Sequence, residues 1–209
     1  MAEITSAGLI AAFGAIADTM EAERDALCAL DGEIGDGDHG IAMAGGFGAV
    51  RTALAALAEG ATPTDVLNTA AKAFLSGVGA SCGPLYATGF MRAGAFAKGK
   101  MVLTGDDIPG LLAAMAEGIA HRGKASLGDK SMLDVWQPAA EAAAAVASGS
   151  VEEVWRAAVD AAEAAAENTA TMQAKIGRAA RLGERSLGHK DPGAVSAAML
   201  IGVLARTLG

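Results

Sequence analysis

Apolar residues recur at helical spacing along nearly the whole chain, and no stretch sustains the alternation of a half-buried strand. Leu9, Ile10, Phe13, Ile16 and Met20 fall on one stripe. Ser6 stands where a cap belongs, so the pattern predicts a first helix from Ser6 to Leu30 with a break near Glu21. A second runs from Gly40 to about Ala58. Gly45, Gly46 and Gly48 weaken it by roughly 1 kcal/mol each relative to alanine, which asks for a close backbone approach in return. Thr62-Pro63-Thr64 opens a third helix ending near Ser76, and Leu85–Lys98 makes a fourth. The turn Thr104–Pro109 starts a fifth, with Ile108, Leu111, Leu112, Met115 and Ile119 on its inner face. Leu133–Ala147 and Val151–Lys175 are the sixth and seventh. Asp191-Pro192, a capping residue followed by proline in the first turn, starts the last, which carries Val195, Met199, Leu200 and Val203 to Leu208.

The pattern predicts an all-α fold of about eight helices in one domain over residues 1–209. Short connections make neighbouring helices antiparallel. In such an up-and-down array the loops after helices one, three, five and seven share one end. Those loops are Leu30–Gly40, Gly77–Pro84, Arg122–Ser131 and Gly177–Asp191, which are rich in glycine, carboxylate, hydroxyl and basic residues. The loops near 59–63, 99–107 and 148–150, at the opposite end, hold no comparable cluster.

Composition narrows the chemistry. The chain is 52% apolar but only 4% aromatic, so its core is built mainly of small and aliphatic side chains. The net charge of −8 argues against nucleic acid as a partner, because backbone affinity needs Lys and Arg to displace counterions. Two cysteines, Cys28 and Cys82, make neither a disulfide framework nor a zinc site. The N-terminus lacks a basic n-region and no apolar run reaches spanning length, so the expectation is a cytoplasmic protein with no membrane contact.

The segment LDGEIGDGDHG, Leu30–Gly40, concentrates Asp31, Glu33, Asp36 and Asp38 among glycines that let the backbone fold the carboxylates inward. Such crowding calls for a cation, and hard oxygen ligands suit Mg²⁺ or Ca²⁺. An EF-hand needs glutamate at the twelfth loop position, and that position holds Ala42 or Phe47. Asp31, Asp36 and Asp38 are the candidate metal ligands. The amides of His39, Gly40 and Ile41 open a helix and form a phosphate cradle. Ser81 and Cys82 add amides and a hydroxyl from a second loop, and Arg178 offers a guanidinium. There is no GxxxxGK[ST] motif. Asp191 can serve as a helix cap, a ligand for a ribose hydroxyl or base, or both, and Met132 is either core or the floor of an apolar pocket. His121 reads as structural, Trp136 and Trp155 as core, and Cys28 as a buried small hydrophobe. For His39 and His189, ligand contact and a structural role both stay open. Arg181 and Arg185 are equally readable as cations near a helix C-terminus.

Four runs carry a family resemblance: LDGEIGDGDHG, SGVGASCGPLY, RGKASLGDKSMLDVWQP and TMQAKIGRAARLGERSLGHKDPGA. Together they span Leu30–Ala194 in order and resemble the L-type domain, or L subunit, of dihydroxyacetone kinases, most of all the phosphoenolpyruvate-dependent type. The resemblance implies an eight-helix antiparallel barrel with ADP or ATP at one end. It implies two Mg²⁺ ions on Asp31, Asp36 and Asp38. It implies nucleotide contacts from His39, Gly40, Ile41, Ala42, Ser81, Cys82, Gly123, Met132, Arg178, Asp191, Pro192 and Gly193. It further implies a separate K-type subunit that holds and activates the sugar, and an M-type phosphocarrier protein that recharges a resident ADP. Two other readings stand beside it: an ATP-dependent ketose kinase subunit, acting for instance on a tetrulose, and a nucleotide-loaded module that signals to a transcriptional regulator. One position departs from the family pattern. The chain reads GASCGP, placing the Cys82 thiol, a weaker donor, where a serine hydroxyl is usual.

Overall fold

The computed structural model describes residues 3–209. Among them are nine α-helices: α1 (Ser6–Ala22), α2 (Arg24–Ile34), α3 (His39–Ala55), α4 (Pro63–Gly77), α5 (Cys82–Phe96), α6 (Ile108–Gly123), α7 (Leu133–Ala145), α8 (Val151–Asn168) and α9 (Pro192–Leu208). A two-residue antiparallel pairing of β1 (Glu3–Ile4) with β2 (Leu103–Thr104) ties the N-terminus down and has no signature in the sequence pattern. The predicted first helix is α1 and α2 together, broken at Glu23 rather than Glu21. Counting that pair once, the helices close a ring: α1 packs on α3, each helix from α3 to α9 packs on the next, and α9 returns to α1. This is the predicted antiparallel barrel.

Several boundaries shift, each for a local reason. Thr5, not Ser6, caps α1, its Oγ1 accepting from the Gly8 amide at 3.1 Å. Helix α5 begins at Cys82 rather than Leu85. Helix α8 stops at Asn168 instead of Lys175, and a 3₁₀ turn follows over Thr169–Thr171. There the buried Thr169 hydroxyl donates to the Ala166 carbonyl at 2.6 Å and accepts from the Asp191 amide at 2.9 Å, so a side chain replaces the helical ladder. Capping boxes at Thr62/Asp65 and Ser150/Glu153 set the starts of α4 and α8.

The barrel interior holds an aromatic cluster. Phe47 and Phe74 stand 4.9 Å apart between centroids, Phe74 and Tyr86 5.3 Å, Phe13 and Phe90 5.3 Å, and Tyr86 and Trp136 6.4 Å. Trp136 and Trp155 are both buried, as expected of core residues, whereas Cys28 is only half-buried. Alanine and glycine bring the surrounding helices close. A Cβ on Gly118 of α6 would lie 2.8 Å from the Gly89 Cα of α5, so these two helices meet backbone to backbone.

Candidate functional site

The alternation of the ring brings the N-termini of α3, α5, α7 and α9 to one end, with the loops that lead into them. A cavity of about 310 Å³ opens there, lined from all four loops. Four positive dipole ends facing one space favour an anion.

On one wall, Asp31, Asp36 and Asp38 each offer an oxygen, and the three atoms lie within 4.8 Å of one another. The segment is less of a loop than its glycines suggest. Helix α2 runs through Gly32 to Ile34, so Asp31 and Glu33 are helical, and the chain turns only at Gly35–Asp38. Asp31 is largely buried, and its Oδ2 accepts from the amides of Asp38 and His39 at 3.0 and 3.2 Å. It thereby caps α3 from a neighbouring helix. The His39 amide assigned to a phosphate cradle is already engaged, and that of Ala42 bonds the Asp38 carbonyl. Gly40 packs against the α2 backbone at Arg24, where no Cβ would fit. Ile41 is 62% exposed, and neither these two residues nor Ala42 lines the cavity.

The remaining named positions, His39, Ser81, Cys82, Gly123, Met132, Arg178, Asp191, Pro192 and Gly193, all line it. Burial lowers the basicity of His39 against the pull of Asp31, and its Nε2 lies 2.9 Å from the Ser196 hydroxyl of α9. Burial pushes the Cys82 thiol up to about 11, and the carboxylates of Asp38 and Asp31 push the same way, so it is a neutral thiol at the start of α5. Asp191 caps α9, its Oδ2 accepting from the Ala194 amide at 2.7 Å. Burial raises its carboxyl to about 7, against that amide and the Lys130 ammonium. The cap reading of Asp191 therefore holds, and its place in the cavity wall leaves the ligand role available. Met132 is likewise buried in the core and part of the wall.

Arg178 reaches across the mouth. Its Nη1 pairs with Asp36 and lies 3.4 Å from Asp38 Oδ2, so a guanidinium already balances two of the three carboxylates. It belongs to a strap, residues 172–189, that includes a 3₁₀ segment, Ala179–Ser186. At the strap's end His189 Nδ1 meets Glu33 Oε2 at 2.7 Å, a structural tie to α2. His121 is in the last turn of α6, outside the cavity wall.

Two buried charged residues at the site end escaped the sequence reading. Lys130 is buried and lines the cavity. Asp134 is buried too, accepting from the amides of Gly128 at 2.5 Å and Ser131 at 2.7 Å, and so folds the loop between α6 and α7. Lys130 lies within the RGKASLGDKS run and Asp134 three residues past it, in the first turn of α7, and a charged residue at the site end was the available signal.

Three hard oxygen donors at this spacing fit a small divalent cation that completes its shell with water or phosphate. A helical ring with such a triad and four helix N-termini at one end suits a phosphorylated ligand held with a cation. Residues 33–206 match the DAK2 domain, and the chain belongs to that family. It is 42% identical over 190 residues to the ADP-binding subunit DhaL of the PEP-dependent dihydroxyacetone kinase of Escherichia coli strain K12, covering 90% of each chain. It is 40% identical over 191 residues to DhaL of PEP-dependent dihydroxyacetone kinase 2 from Listeria innocua serovar 6a, covering 90% of this chain and 88% of that one. The crystal structure of the C. freundii dihydroxyacetone kinase in complex with AMP-PNP and Mg²⁺ is similar at a TM-score of 0.73 and 26% identity, covering 95% of this chain and 33% of that one. Among the described residues, no helix is long and apolar enough to cross a membrane.

Proposed function

We propose that this chain is the ADP-binding subunit of a dihydroxyacetone kinase, holding a Mg²⁺-bound nucleotide in the cavity and passing its terminal phosphoryl group to a short ketose on a K-type partner subunit. The observation that carries this is the convergence of three carboxylate oxygens on the rim of a cavity faced by four helix N-termini. Asp31, Asp36 and Asp38 hold the metal, read as two ions; when bound, Mg²⁺ neutralises phosphate charge. The amides of Ser81 and Cys82 at the start of α5 receive phosphate oxygens. The missing hydroxyl at Cys82 costs little where an amide serves. Leu85, Ile119, Met132 and Pro192 give apolar surface for a base. Asp191 and Gly193 border the space for a ribose. Arg178, now paired with Asp36 and Asp38, would supply a guanidinium to a bound phosphate. Such chemistry is positioning and charge neutralisation, which this wall supplies without a base of its own. The proton released by the ketose hydroxyl goes to the partner.

The partner closes the cavity from outside. Ile41, Leu75, Leu127 and Leu187, between 43% and 62% exposed, stand at the site end of the barrel and offer it an apolar rim. In the phosphoenolpyruvate-linked reading ADP never leaves, and an M-type phosphocarrier recharges it. The second reading, exchange with free ATP, is favoured by the AMP-PNP complex of the C. freundii kinase. Denaturing the dialysed protein and chromatographing what it releases separates the two. Near-stoichiometric ADP supports the phosphocarrier scheme, and an empty site that fills reversibly with Mg²⁺–ATP supports exchange. A protein that neither carries nor takes up nucleotide refutes both.

A further inference from the structure

The geometry points to Lys130 as the positioning residue for Arg178, a role that rests on the proposed nucleotide site. Lys130 is 2% exposed and holds a left-handed backbone, φ 64°, which an L side chain adopts at a cost. Its ammonium donates to three main-chain carbonyls: Met172 at 3.1 Å, His189 at 2.6 Å, and Ser186. All three protons are spoken for, and among the described residues no carboxylate lies at ion-pair distance. The acceptors come from both ends of the strap. Met172 is at its start, Ser186 and His189 at its finish, and the tip between them, Ile176–Ala179, lines the cavity and carries Arg178.

The neck is tied at further points. The buried Ser186 hydroxyl accepts from the Ala174 amide at 2.9 Å and donates to the Gly183 carbonyl at 2.6 Å. The amides of Gly188 and Lys175 reach the carbonyls of Ala170 at 2.8 Å and Asp129 at 3.1 Å. Lys130 gathers three carbonyls from both ends on a single atom, and it does so from outside the strap. Taking an ammonium out of water is costly, and a methionine would fill similar volume without that cost. What a methionine lacks is the ability to draw three carbonyls to one point. Fixing the neck fixes where the tip presents its guanidinium, and a shift of about 1 Å at such a group can cost on the order of 100-fold in rate.

Two measurements on Lys130→Met test this. In the ligand-free protein, amide hydrogen exchange across 174–188 should rise about tenfold or more while the core of α1–α9 stays protected. In a double-mutant cycle read as the Mg²⁺–ADP dissociation constant, Lys130→Met should weaken binding about tenfold when Arg178 is present and change it less than about twofold in an Arg178→Gln background. An equal loss in both backgrounds would make Lys130 a general structural residue and overturn the inference. Strap exchange unaltered by Lys130→Met would overturn this inference alone, whereas wild-type protein that takes up no Mg²⁺–ADP would overturn the proposed function and the link to Arg178 with it.

Discussion

At the scale of single residues, the site end is a balance between buried charge and its local partners. Asp191 shows it best. Its carboxyl is raised to about 7 by burial, while the Ala194 amide and Lys130 pull it down. An unfolded aspartate titrates near about 3.9, so the folded chain keeps a proton that the unfolded chain releases. The stability this contributes is fully present below about pH 4 and is lost as the pH rises through about 7. Asp191→Asn keeps an oxygen for the Ala194 amide but cannot ionise. Urea unfolding of ligand-free protein should therefore show wild type losing stability relative to Asp191→Asn between about pH 4 and 7, with a slope approaching ~1.4 kcal/mol per pH unit. A difference that stays flat across that window would contradict the assignment. The sequence announced the cap at Asp191 through the proline that follows. It could not announce how far the fold covers that carboxyl, which is half-buried in the cavity wall. Asp31 is the converse case. Its acidity was legible, but its role as the cap of α3 was not, because the acceptor belongs to a different helix from the amides it serves.

At the scale of elements, packing overrules propensity wherever helices touch. Gly118 lies inside α6, where alanine would favour the helix by ~1 kcal/mol. A methyl group there meets the Gly89 Cα and the Thr88 carbonyl at 2.8 Å. Forcing two backbones apart costs about 1–3 kcal/mol, so Gly118→Ala should destabilise the protein by up to ~2 kcal/mol on denaturant unfolding. A stabilised variant would show that α5 and α6 are not in backbone contact. Helical spacing and capping residues made most of the elements readable in advance. The errors fall at ends set by tertiary contacts. Helix α8 stops early because Thr169 turns to Asp191, and α2 continues past Gly32 to Ile34 despite the glycine. The β1–β2 pairing is too short to carry a period at all.

At the scale of the whole molecule, the antiparallel ring is what makes a site out of separate loops. Every second connection lands at the same end, so residues as far apart in sequence as Asp31 and Gly193 share one wall. That polarity followed from counting helices and was legible. The cavity's depth, the strap across it and the exposure of Ile41 away from it were not, because they depend on how the loops fold on each other. The account turns on the acid triad holding metal for a nucleotide. Titration of ADP into nucleotide-free protein, with Mg²⁺ and then with EDTA, on wild type and on the Asp36→Ala, Asp38→Ala double variant, tests that most directly. The account predicts binding by wild type that needs Mg²⁺ and weakens at least about 100-fold in the double variant, whose helical content is unchanged. ADP binding that persists in EDTA, or survives intact in the double variant, would contradict it.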